Sequence, residues 1–173
     1  MDSRLERQFL DYSASKIGEL AGRIQTCLEQ LTAEQVWARG GENQNAIGNL
    51  VLHLAGNVRQ WIIAGVGGRP DIRDRAAEFR ARGGRAPGEL AALLLQTVAE
   101  GRAVIGGLTA ESLPRPLTIQ GYKISEMEAV YHVVEHFSMH TGQILFATKM
   151  LTGADLGFYK HLESGAPHDE PKP

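Results

Sequence analysis

Between residues 125 and 151, apolar side chains return every three or four positions. Val133, Phe137, Ile144 and Leu151 fall on one side of a helix that advances about 100° per residue. Start and stop signals bracket the stretch. Ser125 with Glu128 makes a capping box, Gly153 suits the left-handed position that ends a helix, and Lys149 lies in the last turn, where a cation complements the dipole. Phe9, Leu20, Ile24, Cys27 and Leu31 repeat the spacing and predict a first long helix over 4–31. Thr32 and Gln35 form a second capping box, predicting a short helical turn in TAEQVWAR before the polar loop GGENQN. Asn45 is then expected to cap a helix over 46–64 whose buried face is Ile47, Leu50, Leu54, Val58 and Trp61.

Pro87 suits the first position of another long helix, with Leu90, Leu94, Val98, Ile105 and Leu108 inward and Gly106–Gly107 at its end. Gly101 falls on the inward side and predicts a close helix contact. The connections read differently. Residues 65–86 hold five glycines, one proline and six arginines. They are expected to form a long surface connection with a helical turn around 76–81, its arginines solvated or in contact with an anionic ligand. Two prolines and a short alternating piece around Gln120–Gly121 predict a small hairpin before the last helix. From about 154 a loosely packed tail is expected, with His161 and His168 outside any site. The fold class is therefore all-α: a four-helix bundle forming one domain over 1–173, with no internal repeat and no domain linker.

Composition narrows the function classes without choosing one. The chain has 173 residues, enough to bury a core without disulfides or metal. Lysine plus arginine number 18 against 20 acidic residues, so charge offers no case for nucleic acid or an anionic membrane as partner. The opening MDSRLERQFL is charged where a secretory leader is apolar, and no apolar run approaches the roughly 18 residues of a membrane span. One cysteine rules out an intramolecular disulfide and fits a reducing, cytoplasmic setting. Cys27 lies on the first apolar stripe and reads as a small core residue rather than a reactive thiol.

Candidate chemistry centres on histidine. His132, His136 and His140 stand at steps of four; His136 and His140 border the apolar face, while His132 leans toward solvent. His53 lies at the margin of the second long helix's stripe, with Asn57 one turn on. A lone histidine in such a place is ordinarily structural, but a histidine pair on another helix changes its weight. Two imidazoles at i and i+4 reach one ion at about 2.0–2.1 Å, and a third from another helix completes a site with a coordination position left for water or substrate. The same row contains a competing pattern. His132-Val133-Val134-Glu135-His136 matches H-x-x-E-H, in which His132 and His136 bind zinc and Glu135 is the general base of a hydrolase.

The segments NAIGNLVLHLAGNVRQWI (45–62) and HVVEHFSMHTGQI (132–144) together resemble the DinB-like superfamily of small metal-binding helical proteins. The resemblance spans about 9–159. It implies an up-down-down-up bundle that holds a divalent ion, zinc or nickel, through His53, His136 and His140. It also implies a homodimer and, as in characterised branches, transfer or isomerisation chemistry with thiols such as bacillithiol, mycothiol or glutathione. On that reading the metal-bound thiol attacks a small electrophile. Asn57 and Gln143 lie near the ligands in register and can support the site or substrate, and His132 can orient a ligand from behind. The rival expectation is a structural or sensory metal in a non-catalytic binding protein, and no catalytic base is assigned.

Overall fold

Four apolar stripes that cannot be left in water close on one another. The computed structural model describes residues 4–160. In chain order the elements are α1 (Arg4–Glu29), α2 (Ala33–Trp37), α3 (Ile47–Val58), a π-helical segment (Arg59–Val66), α4 (Arg75–Arg80), α5 (Pro87–Gly106), β1 (Pro116–Ile119), β2 (Tyr122–Ser125) and α6 (Glu126–Thr152). α1 and α3 each pack on both α5 and α6. The shared core holds Ile17, Ile24 and Leu28 of α1, Leu54 of α3, Leu90 and Leu94 of α5, and Phe137 and Ile144 of α6, all essentially inaccessible. Each contributes about 1.5–3 kcal/mol by leaving water. Cys27 belongs to this core, and burial pushes its thiol pKa up, as suits an inert residue.

Contacts at helix ends record how the helices run. Arg7 at the start of α1 donates to the Gly106 and Leu108 carbonyls at the end of α5. Asn57 and His53 of α3 meet His132 and His136 of α6 in opposite chain order. A β-carbon on Gly101 of α5 would stand 2.7 Å from Val58, so the close helix contact expected at Gly101 is present, and α3 is the partner.

Local signals act as their chemistry dictates. Both capping boxes form: the Gln35 N–H donates to Thr32 Oγ1 and the Thr32 N–H to Gln35 Oε1, while the Ser125 N–H donates to Glu128 Oε2 at 2.7 Å. Gly153 closes α6 at φ 66°, and Pro87 opens α5. The hairpin pairs Ile119 with Tyr122 around Gln120 and Gly121, both at positive φ, the geometry that matches strand twist.

Several expectations need correction. Asn45 is exposed and does not cap α3. Ala46 takes the cap position, and Asn49 accepts the Ala46 N–H from inside the helix. The helix expected over 46–64 changes at Arg59 into a π-helical segment, in which the Gly67 N–H reaches back five residues to the Ile62 carbonyl. Leu151, expected on the buried face, is 41% exposed. Of the expected tail, Leu156 packs into the core and Phe158 against it, while His161 and His168 lie outside the described residues. Among the described residues no helix is long and apolar enough to cross a membrane.

Candidate metal centre

Two helices bring three imidazoles to one point. His53 projects from α3, and His136 and His140 stand one turn apart on α6; these three offer ligand atoms that all lie within 4.8 Å of one another. His53 Nε2 and His136 Nε2 are 3.0 Å apart. The ring centroids of His53 and His140 lie 5.1 Å apart and those of His136 and His140 4.5 Å apart. His53 is buried and the other two are half-buried, so the cluster reaches solvent on the α6 side.

Hydrogen-bond partners assign the tautomers. His140 Nδ1 lies 2.7 Å from Gln143 Oε1, an acceptor, so Nδ1 carries the proton and Nε2 keeps its lone pair. His53 Nδ1 lies 3.0 Å from both Glu78 Oε2, an acceptor, and a terminal nitrogen of Arg73, which can only donate. That nitrogen is already engaged by Glu78 Oε2 at 2.8 Å, so the Nδ1–H is assigned to the carboxylate and the Nε2 lone pair turns toward His136. His136 Nδ1 is buried without a partner. Two Nε2 lone pairs facing at 3.0 Å repel unless a proton or a cation lies between them. Nitrogens sharing a tetrahedral ion sit about 3.4 Å apart at ordinary metal–nitrogen lengths. A small opening of this pair therefore suits a divalent ion, and the donor set is one such ions take.

The electrostatics keep the rings in their ligand form. Burial, then the neighbouring His140, His53, His132 and Arg73, push His136 down to about 3. Burial likewise lowers His140, with His53 adding to it and Gln143 opposing. These two imidazoles are neutral at pH 7 and need release no proton to accept a metal.

The strongest departure from the sequence reading is the segment 65–86. It was expected at the surface, yet Arg73 and Glu78 are buried against His53. Arg73 grips the carboxylate at both oxygens, Nε to Oε1 at 2.7 Å and the terminal nitrogen to Oε2 at 2.8 Å. Burial would raise the Glu78 pKa, but Arg73 and His53 outweigh it and hold the carboxyl below its usual range. Phe79 sets its ring 4.7 Å from that of His53. Polar side chains hold the segment in place. Asp74 caps α4 by accepting from Ala77, Asn49 donates to the Glu78 and Ala81 carbonyls, and Gln60 bonds both Asp71 and Arg73. Asn49, His53 and Asn57 stand at steps of four on an otherwise apolar helix, all buried. That row is the signal that could have revealed a polar partner lying over α3.

Other candidates separate cleanly. Gln143 is the partner expected for His140. Asn57 contacts His132 at 3.4 Å and keeps its Oδ1 buried without a partner. His132 does not lean into solvent: it is half-buried and stacked 3.8 Å from Trp61, outside the three-histidine cluster. Glu135 is exposed. The arrangement thus favours the set His53, His136, His140 over the H-x-x-E-H pair. Arg73 and Glu78 also line a cavity of about 410 Å³, together with Gly56, Arg59, Arg85 and Thr97 among others and with none of the histidines.

Comparison with known proteins gives the fold a family. No curated protein matches the chain. Among solved structures it is similar to a conserved protein from Enterococcus faecalis (TM-score 0.72, 14% identity, covering 83% of this chain and 97% of that one). It is also similar to the DinB-like protein YjoA from Bacillus subtilis (TM-score 0.65, 17% identity, 86% and 97%). A DinB-like protein from Bacillus cereus is similar as well (TM-score 0.62, 14% identity, 79% and 88%). At such identities these likenesses show the fold. A family model described as "Protein of unknown function (DUF1572)" matches residues 4–161, and the chain accordingly belongs to this DinB-like family.

Proposed function

We propose that His53, His136 and His140 hold one divalent ion, zinc or nickel, and that the loaded protein is a transferase in which a bound low-molecular-weight thiol attacks a small electrophile. The observation that carries the metal is the convergence of three imidazoles, two with Nδ1 already engaged by Glu78 and Gln143. A divalent ion there supplies Lewis acidity, lowering the pKa of a thiol or water beside it. The chain's own residues do the positioning. Gln143 orients His140, Phe79 covers one side of His53, and the unpartnered Asn57 Oδ1 is an acceptor one turn from His53. The thiol rests on the resemblance to DinB-like proteins that use bacillithiol, mycothiol or glutathione, and a cytoplasmic setting belongs to the same reading, supported by the single cysteine.

The up-down-down-up order belongs to the same reading, supported by the Arg7 contacts and by the opposed α3–α6 pairing. So does a homodimer. Tyr131, Met139, Phe146 and Met150 are exposed along α6 and supply an apolar surface for one.

Metal content, measured on protein purified without a histidine tag, tests the site. Near-stoichiometric metal in the wild type, lost in His53→Ala, His136→Ala and His140→Ala but kept in His132→Ala and Glu135→Ala, is the expected pattern. Loss in His132→Ala with retention in His140→Ala would instead establish the H-x-x-E-H hydrolase site. Turnover of an aryl halide with each thiol then separates catalysis from a structural metal, whose removal lowers only the melting temperature.

A further inference from the structure

A feature of this chain that the ligand set does not account for is the pair Arg73–Glu78. We propose that Glu78, clamped by Arg73 and seated in a notch at Gly56, is the positioning residue that fixes the ring and tautomer of His53 so that Nε2 faces the metal. The proposal rests on the three-histidine reading and adds to it a residue outside the ligand set.

Three observations converge. A histidine that binds through Nε2 must keep its proton on Nδ1, and a carboxylate at Nδ1 is the usual device for this. Glu78 Oε2 stands 3.0 Å from His53 Nδ1, with side chains 6% and 10% exposed, so water does not compete for that contact. The carboxylate cannot swing away, because Arg73 holds both of its oxygens. The Arg73 nitrogen on Oε2 also lies 3.0 Å from His53 Nδ1 and 3.4 Å from the His53 carbonyl, so it is the carboxylate between them that gives Nδ1 an acceptor rather than a donor. Finally, the helix leaves room for it. A β-carbon at position 56 would lie 1.9 Å from Glu78 Oε1 and 2.9 Å from Arg73 Nε. A glycine inside a helix costs about 1 kcal/mol relative to alanine. Here, one turn from His53, it permits a carboxylate to lie directly on the α3 backbone.

The same pair could have been only a buried ion pair tying the segment down, and the two roles differ in what they predict for His53. A tie would leave its tautomer and metal affinity unmoved. The experiment compares wild type, Glu78→Ala, Glu78→Gln and Gly56→Ala in two readouts, with urea denaturation confirming that each is folded. Zinc affinity is measured by chelator competition, and the protonated ring nitrogen of His53 by long-range ¹⁵N–¹H correlation on metal-free protein.

Glu78→Ala and Gly56→Ala are expected to weaken zinc about 10–100-fold and to give His53 a mixture of tautomers. Glu78→Gln retains an acceptor oxygen and is expected to keep the Nδ1–H with a smaller loss of affinity. Unchanged affinity and tautomer in folded Glu78→Ala would overturn the proposal. Should Glu78→Ala not fold, Gly56→Ala and Glu78→Gln decide it by the same criteria. If the wild type takes up neither zinc nor nickel, the metal reading has failed by itself. The tautomer of His53 in Gly56→Ala against wild type then decides alone whether Glu78 positions that ring.

Discussion

The two walls of the histidine cluster are made in different ways. One is α6, 27 residues long, capped at both ends and anchored across the bundle by Phe137 and Ile144. The other is the strap over 67–86, whose only helix has six residues and which is held by Asn49, Gln60, Asp74 and the Arg73–Glu78 pair. The first wall is fixed by burial of apolar area, a cooperative and non-directional force. The second is fixed by charge and directed hydrogen bonds. Losing one partner in the strap therefore leaves another buried and unpaired, where losing a methyl group from α6 leaves only a gap.

The largest effect that tests this contrast is expected from Arg73→Met. Removing one member of a buried ion pair costs about 3–5 kcal/mol, because the remaining charge stays in a poor solvent. The Glu78 carboxylate is that charge, and the strap is expected to lift so that water can reach it. Hydrogen exchange of the variant should show lost protection through α4 while the α6 amides around Phe137 remain as slow as in wild type. Uniform loss through both walls would break the comparison and make the strap part of the cooperative core.

Acid should act next, and on both walls. In metal-free protein the unfolded His136 takes a proton near 6.5 while the folded ring resists until about 3. Across that window the unfolded state binds more protons, so stability falls as pH drops below about 6.5. Glu78 has the same sign for the opposite reason: its folded carboxylate is favoured, so its contribution is present above the unfolded value of 4.5 and disappears at lower pH. Urea midpoints at pH 7, 5.5 and 4 should therefore decline in steps. His136→Gln should flatten both steps, and Glu78→Gln only the lower one.

The walls also differ in how far the sequence discloses them. His136 and His140 are legible because an i, i+4 pair at the margin of an apolar face needs nothing outside its own helix. His53 gained its meaning from the motif resemblance, since one histidine beside a stripe has an ordinary structural explanation. Arg73 and Glu78 were hidden among six arginines in a glycine-rich connection, where no periodicity says which side chain turns inward. What selects them is a three-dimensional fit, the bare backbone at Gly56 and the polar row of Asn49, His53 and Asn57. Asn45 misled because its type suits a cap, while Asn49 satisfies the Ala46 N–H from within the helix. The π-helical segment was invisible because Trp61, Ile62, Ile63 and Ala64 form an unbroken apolar run, all of it buried, with no period in which a change of winding would register.

The smallest effect concerns the third histidine of the row and sharpens where the helical wall ends. His132 stacks on Trp61 with centroids 3.8 Å apart and planes 31° apart, so its side chain joins α6 to the π-helical segment. Aromatic pairs of this kind contribute about 0.5–1.5 kcal/mol beyond area burial. A double-mutant cycle with His132→Ala and Trp61→Leu should return a coupling in that range, with metal content equal to wild type in the single His132 variant. A coupling near zero would make the stacking incidental. Metal loss in His132→Ala together with retention in His140→Ala would move the functional end of the row by one turn, and the strap would then be gripping a histidine outside the ligand set.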